Sequence, residues 1–135
     1  MDRVVFACRH NAGRSQMAAA FFNRLADPAK AAAISAGTEP AQWVHPEVLA
    51  VMGEDGIDLV GQKPQRLTAE LAAGARYLVT MGCGEACPFI PGATLEDWQL
   101  EDPKGQPASR VREIRDDIRN RVEALVRRNG WGRPG

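Results

Sequence analysis

The sequence has no surplus of charge of either sign: 17 Lys and Arg offset 17 Asp and Glu, for a formal net charge of zero. A nucleic-acid binder would show a broad positive field, so that class is set aside and any anion site must be local. Long apolar runs are also missing. The longest, Met17 to Phe22, is far short of the roughly 18 residues that span a bilayer, and Met1-Asp2-Arg3 does not open a secretory signal. No membrane partner is expected, and the expected compartment is the cytoplasm. Cysteine is sparse and odd in number, three in 135 residues. Without a secretory signal this argues against a disulfide framework and for catalytic, redox or metal chemistry. No internal repeat or low-complexity linker interrupts the chain. At 44% hydrophobic and 25% charged residues the composition is that of a soluble globular protein. The length fits one domain over residues 1–129, with a short flexible tail at 130–135.

What is present alternates between strand and helix. Val4-Val5-Phe6-Ala7 is a short apolar run of the kind buried on both faces of a parallel sheet, and it stops at Cys8. Met17, Ala18, Phe21, Phe22 and Leu25 then recur at helical spacing until Asp27-Pro28. Residues 32–37 form a weaker strand candidate, and Pro46 suits the first position of a helix through Val48, Leu49 and Met52. Leu67 to Ala73 reads as a short helix, Arg76 to Met81 as a strand and Thr94 to Glu96 as a brief fourth strand. The clearest helix carries the stripe Val111, Ile114, Ile118, Val122 and Leu125 and ends at Asn129-Gly130. This order predicts an α/β fold with a parallel sheet covered on both faces.

Ligands of open parallel sheets bind beyond the carboxyl ends of the strands, commonly where a loop enters a helix. Cys8-Arg9-His10-Asn11-Ala12-Gly13-Arg14-Ser15 has that place. Five residues between Cys8 and Arg14 suffice to wrap successive backbone N–H groups around one tetrahedral oxyanion, with Gly13 easing the wrap. Arg14 would clamp two oxygens with its planar fork, the loop and helix dipoles would favour a Cys8 thiolate, and Ser15 could donate to the sulfur. The alternative is a buried structural thiol. A Cys-x5-Arg spacing alone would arise by chance about 0.3 times in such a chain, so its position between strand and helix is what favours the oxyanion loop.

Residues 4–18, Val-Val-Phe-Ala-Cys-Arg-His-Asn-Ala-Gly-Arg-Ser-Gln-Met-Ala, resemble the signature of arsenate reductases built on the low-molecular-weight protein tyrosine phosphatase fold. The resemblance continues through Ser35-Ala36-Gly37, Gly56-Ile57-Asp58, Val79 to Cys83, Cys87-Pro88, Asp97-Trp98 and Asp102-Pro103. It implies a three-layer sandwich around a four-stranded parallel sheet, and a Cys8 thiolate that attacks arsenate. It also implies that Asp102 is the acid that protonates the departing oxygen; read without it, Asp102-Pro103 is as well explained by an ordinary turn.

Reduction of As(V) needs two electrons, which a second thiol can deliver by attacking the Cys8 sulfur and expelling arsenite. Cys83 and Cys87 follow the strand that ends near Met81 and suit a Cys8-Cys83-Cys87 relay. A buried thiol pair or a zinc half-site is the alternative, though zinc would want four ligands and only His10 and His45 are available. The implied reductant is an external thiol donor, thioredoxin first. The short Gly84-Glu85-Ala86 spacing keeps a glutaredoxin-like protein with a low-molecular-weight thiol open. Some relatives hold potassium through an Asn, a Glu and a Ser. Asn11 and Ser35 match, but Ala19 stands where the Glu would be, which counts against that ion. No tightly bound cofactor is expected, and the expected state is a monomer. A phosphomonoesterase using Cys8, Arg14 and Asp102 is the second reading, and a non-enzymatic arsenite or redox sensor the third. His45 is read as a helix-entry residue, Trp98 as a core or edge anchor, and the charges of the last helix as mostly a solvated face.

Overall fold

The computed structural model describes residues 1–82 and 87–134. Its sheet has four strands, β1 (Asp2–Cys8), β2 (Ala31–Gly37), β3 (Tyr77–Met81) and β4 (Thr94–Asp97), in the order β2-β1-β3-β4 with every neighbour parallel. Helices α1 (Arg14–Leu25), α2 (Pro46–Glu54), α3 (Ala69–Ala72) and α4 (Ala108–Arg128) complete it. The predicted α/β class and four-stranded parallel sheet are those observed.

Alternation along β1 explains the layers. Val4, Phe6 and Cys8 join the larger core with Met17, Phe21 and Phe22 of α1, Val48, Val51 and Met52 of α2, and the stripe of α4. Val5 and Ala7 face the opposite side, a smaller core with Leu78, Ala36, Ala72 and Ile90. β1 is thus buried on both faces and central in the sheet, which fixes the position of whatever follows Cys8. The register sets Cys8 beside Gly37 on one neighbour and beside Met81 on the other.

Two differences from the sequence reading stand out. The tail from residue 130 was expected to be flexible, yet Trp131 is 5% exposed and packs edge-on against both Phe22 and Tyr77. Its Nε1 donates to Asp2 Oδ2, 3.2 Å away, and its carbonyl accepts from Asp27 N–H at 2.8 Å. Nor are the charges of α4 all solvated. Arg115 is 8% exposed, donates to the Val51 carbonyl at 2.9 Å and pairs with Glu54, Asp55 and Asp116. A carboxylate cluster at the end of α2 makes its burial tolerable, since a buried charge needs such partners.

Candidate active site

The loop between β1 and α1 is shaped from outside. N–H groups of Thr38, Glu39, Ala41 and His45 donate to the carbonyls of Cys8, Arg9, His10 and Ala12 at 3.3, 2.7, 3.0 and 2.9 Å. No peptide bond among the described residues is cis. In a trans peptide the N–H of the following residue points opposite the carbonyl. The amides of Arg9, His10, Asn11 and Gly13 are thereby turned toward the inside of the loop. Helix α1 begins there with Gly13 as N-cap and no side chain capping it, leaving first-turn N–H groups available to an anion.

Glycines permit the wrap. A Cβ on Gly37 would lie 2.7 Å from the Arg9 carbonyl oxygen and 2.8 Å from the Asn11 nitrogen, so the end of β2 touches the loop backbone directly. A Cβ on Gly13 would meet Pro103 Cγ at 2.8 Å, which places the Asp102-Pro103 segment against the loop. Asn11 is fully buried at a left-handed φ of 50°, the one such non-glycine residue among those described.

Side chains converge on the same point. Cys8, 2% exposed, is a free thiol whose Sγ lies 2.9 Å from Ser15 Oγ. Asn11 Nδ2 donates to Ser15 Oγ at 2.7 Å. Arg14, 8% exposed, donates from Nη1 to the Leu100 carbonyl at 3.2 Å, and its Nη2 is 3.8 Å from Asp102 Oδ2. Gly82, at φ 96°, brings backbone so close that a Cβ there would sit 2.6 Å from Arg14 Nη1. Asp102 Oδ1 accepts from Lys104 N–H at 3.0 Å, forming a tight turn that leaves its other oxygen toward Arg14. At the rim, Arg9 pairs with Glu39 at 3.1 Å and His10 Nδ1 meets the Glu39 carbonyl at 3.0 Å.

The structure therefore brings together Cys8, the loop 9–13, Arg14, Ser15 and Asp102. Cys83 lies outside the described residues. Cys87 is half-buried against the smaller core and is disulfide-bonded. The potassium set does not assemble well. Ala19 and Ser35 line one cavity of about 330 Å3, but Ala19 offers no side-chain oxygen, and Asn11 Oδ1 already accepts from Gln65 N–H and the Gln16 amide. Among the described residues no three His, Cys, Asp or Glu side chains cluster to hold a metal.

His45 was read as a helix-entry residue and is the N-cap of α2, but it also borders the site. A Cβ on Gly13 would be 3.6 Å from its Cδ2. Burial lowers its pKa from the usual 6.5, against the opposing pull of Glu47 and Asp102. Nothing in the spacing distinguished it, because Gly13 and Pro103 meet it only in three dimensions. Trp43, on the segment that holds the loop carbonyls, is 70% exposed.

The family model described as low molecular weight phosphotyrosine protein phosphatase matches residues 3–129. The chain belongs to that family. Several of its relatives within the low-molecular-weight phosphatase family are named for another reaction. A Halobacterium salinarum protein, provisionally named an arsenate reductase, is 42% identical over 89% of this chain and 87% of its own. A Synechocystis sp. protein named glutaredoxin arsenate reductase is 38% identical over 93% of this chain and 97% of its own. The solved structure of a Corynebacterium glutamicum thioredoxin-dependent arsenate reductase superposes with a TM-score of 0.82 at 36% identity. That match covers 95% of this chain and 61% of that one, so the chain spans about three fifths of its length.

Proposed function

We propose that this protein reduces arsenate to arsenite through a covalent adduct on Cys8. The carrying observation is a buried free thiol facing inward-turned amides and a buried Arg14, in a chain whose relatives are named arsenate reductases. Arg14 and the loop amides hold the oxygens of arsenate while the Cys8 thiolate attacks arsenic. One oxygen departs as water, taking a proton from Asp102, and a sulfur-arsenic bond forms. Cys83 thiolate then attacks Cys8 Sγ. The electron pair of the sulfur-arsenic bond stays on arsenic, which leaves as arsenite, and a Cys8-Cys83 disulfide remains. Cys87 thiolate attacks the Cys83 sulfur, returning Cys8 to its thiolate and passing the oxidation to a Cys83-Cys87 disulfide.

An external dithiol protein then reduces that disulfide. Thioredoxin is the proposed donor, supported by the Corynebacterium relative; the Synechocystis relative favours glutaredoxin. The setting proposed is a cytoplasmic monomer active in arsenic detoxification. Among the described residues no helix is long and apolar enough to cross a membrane.

Phosphate-ester hydrolysis is the second reading, favoured by the family match and by the fact that the same loop suits phosphate. Arsenite formation with thioredoxin, thioredoxin reductase and NADPH, run beside glutaredoxin with a small thiol, tests the first. Cys8→Ser should abolish it, and turnover near wild type would sink the nucleophile assignment. Cys83→Ser should end reduction while sparing any hydrolysis of an aryl phosphate, because water completes that reaction. Cys87→Ser should stop after one event, with a trapped Cys8-Cys83 disulfide visible by peptide mapping.

A further inference from the structure

Gln16 has no place in the chemistry above, yet it is 5% exposed and its Nε2 lies 3.1 Å from the Asn11 carbonyl oxygen and 3.3 Å from Asn11 Oδ1. We infer that Gln16 is a positioning residue that directs the Ser15 hydroxyl proton onto the Cys8 sulfur. The inference rests on Cys8 as the nucleophile, and applies equally to reductase and phosphatase chemistry.

The direction of each hydrogen bond follows from what its atoms can do. A backbone N–H can only donate, and Gln65 N–H reaches the Asn11 side chain at 3.0 Å, so the atom it meets is the amide oxygen. The Asn11 amide nitrogen is then the atom facing Ser15 at 2.7 Å. An amide nitrogen does not accept, so Ser15 Oγ accepts there and keeps its own hydrogen for another partner. The sulfur of Cys8 lies 2.9 Å from that hydroxyl oxygen. Gln16 spans the carbonyl and the side-chain oxygen of Asn11, and with Gln65 N–H it holds the Asn11 amide in the orientation that keeps its nitrogen on Ser15. A hydroxyl engaged in this way directs its own hydrogen at sulfur and stabilises the thiolate form.

The test reads the thiolate directly. In the Cys83→Ser, Cys87→Ser background Cys8 is the single cysteine, and its alkylation rate by iodoacetamide is followed against pH. Gln16→Met keeps the size and removes the donor. It should lower the rate below neutral pH by about 3- to 10-fold, the scale of one ordinary neutral hydrogen bond, and leave the high-pH plateau unchanged. In a Ser15→Ala background the same substitution should change the low-pH rate little, because the hydroxyl through which Gln16 acts is gone. A fall of equal size with and without Ser15, a fall in the plateau, or no change would each overturn the inference. Should Gln16→Met fail to fold, Gln16→Ala carries the same expectations. Failure here is separable from failure of the nucleophile reading, which Cys8→Ser turnover decides independently.

Discussion

Arg14 shows how much of the site depends on one side chain's shape. Its guanidinium is held between the Leu100 carbonyl and Asp102, with the Gly82 backbone pressed against it, so its plane is set before any anion arrives. Arg14→Lys would keep the charge and lose the two-pronged geometry. A loss on the order of 10²-fold or more in kcat/KM for arsenate is expected, the scale for removing one preorganised donor. Steady-state kinetics of the variant decide it, and an unchanged kcat/KM would remove Arg14 from the oxyanion clamp. Gly37 makes a complementary case from the backbone. An alanine there would press on the Arg9 carbonyl and the Asn11 nitrogen, both main-chain atoms without freedom to rotate away. Gly37→Ala should therefore cost about 10²-fold in activity through displacement of the loop, measured alongside a far-UV circular dichroism spectrum that stays native.

At the scale of elements, helix α2 is anchored at both ends by titratable groups with separate pH windows. At its start, burial holds His45 below its usual 6.5, so the unfolded chain takes up a proton first and stability falls as pH drops through about 6.5 toward the folded value. At its end, hydrogen bonds from Arg112 and then Arg115 hold exposed Glu54 below its usual 4.5 despite some desolvation, and the stability this gives is lost only as pH falls below 4.5. Urea midpoints between pH 7.5 and 5.5 should therefore decline in the wild type and decline less in His45→Gln. Equal declines would show that His45 does not govern that window.

The same helix marks where the sequence could be read and where it could not. Pro46 and the apolar Val48, Leu49 and Met52 announce α2, because its start and its inward face are local properties. The stripes of α1 and α4 and the run of β1 were equally legible, as was the loop from Cys8 to Ser15. The burial of Arg115 was not, since it depends on carboxylates about 60 positions away. Nor was the hold on the loop's carbonyls by residues 38–45, which no spacing encodes, and Asp102 was distinguished from a common turn only by resemblance. Gln16 was present in the quoted signature, but its two acceptors become visible only once Asn11 is seen in its left-handed conformation.

For the whole molecule, the decisive contact joins the two ends of the chain. Trp131 closes the core over Phe22 and Tyr77 and donates to Asp2, the first residue of β1. Trp131→Ala should destabilise the fold by about 3–5 kcal/mol, within the range for truncating a large buried aromatic. Chemical denaturation measures it, and a change below 1 kcal/mol would mean that the end of the chain is dispensable. Truncation after Asn129 should be as damaging, whereas the sequence alone suggests a short flexible tail there.

The three tryptophans occupy such different surroundings that the protein carries its own optical reporters. Trp98 and Trp131 are 6% and 5% exposed, while Trp43 is 70% exposed. Acrylamide should quench chiefly Trp43, the red-shifted emitter. Its neighbours Ala41 and His45 hold the carbonyls of His10 and Ala12, so the segment that carries Trp43 is fastened to the loop between β1 and α1. Arsenate or phosphate titrated into the unlabelled wild-type chain should alter the quenchable part of the fluorescence and leave the blue-shifted part steady. Ligand occupancy could then be followed in real time without a coupled enzyme or a modified substrate.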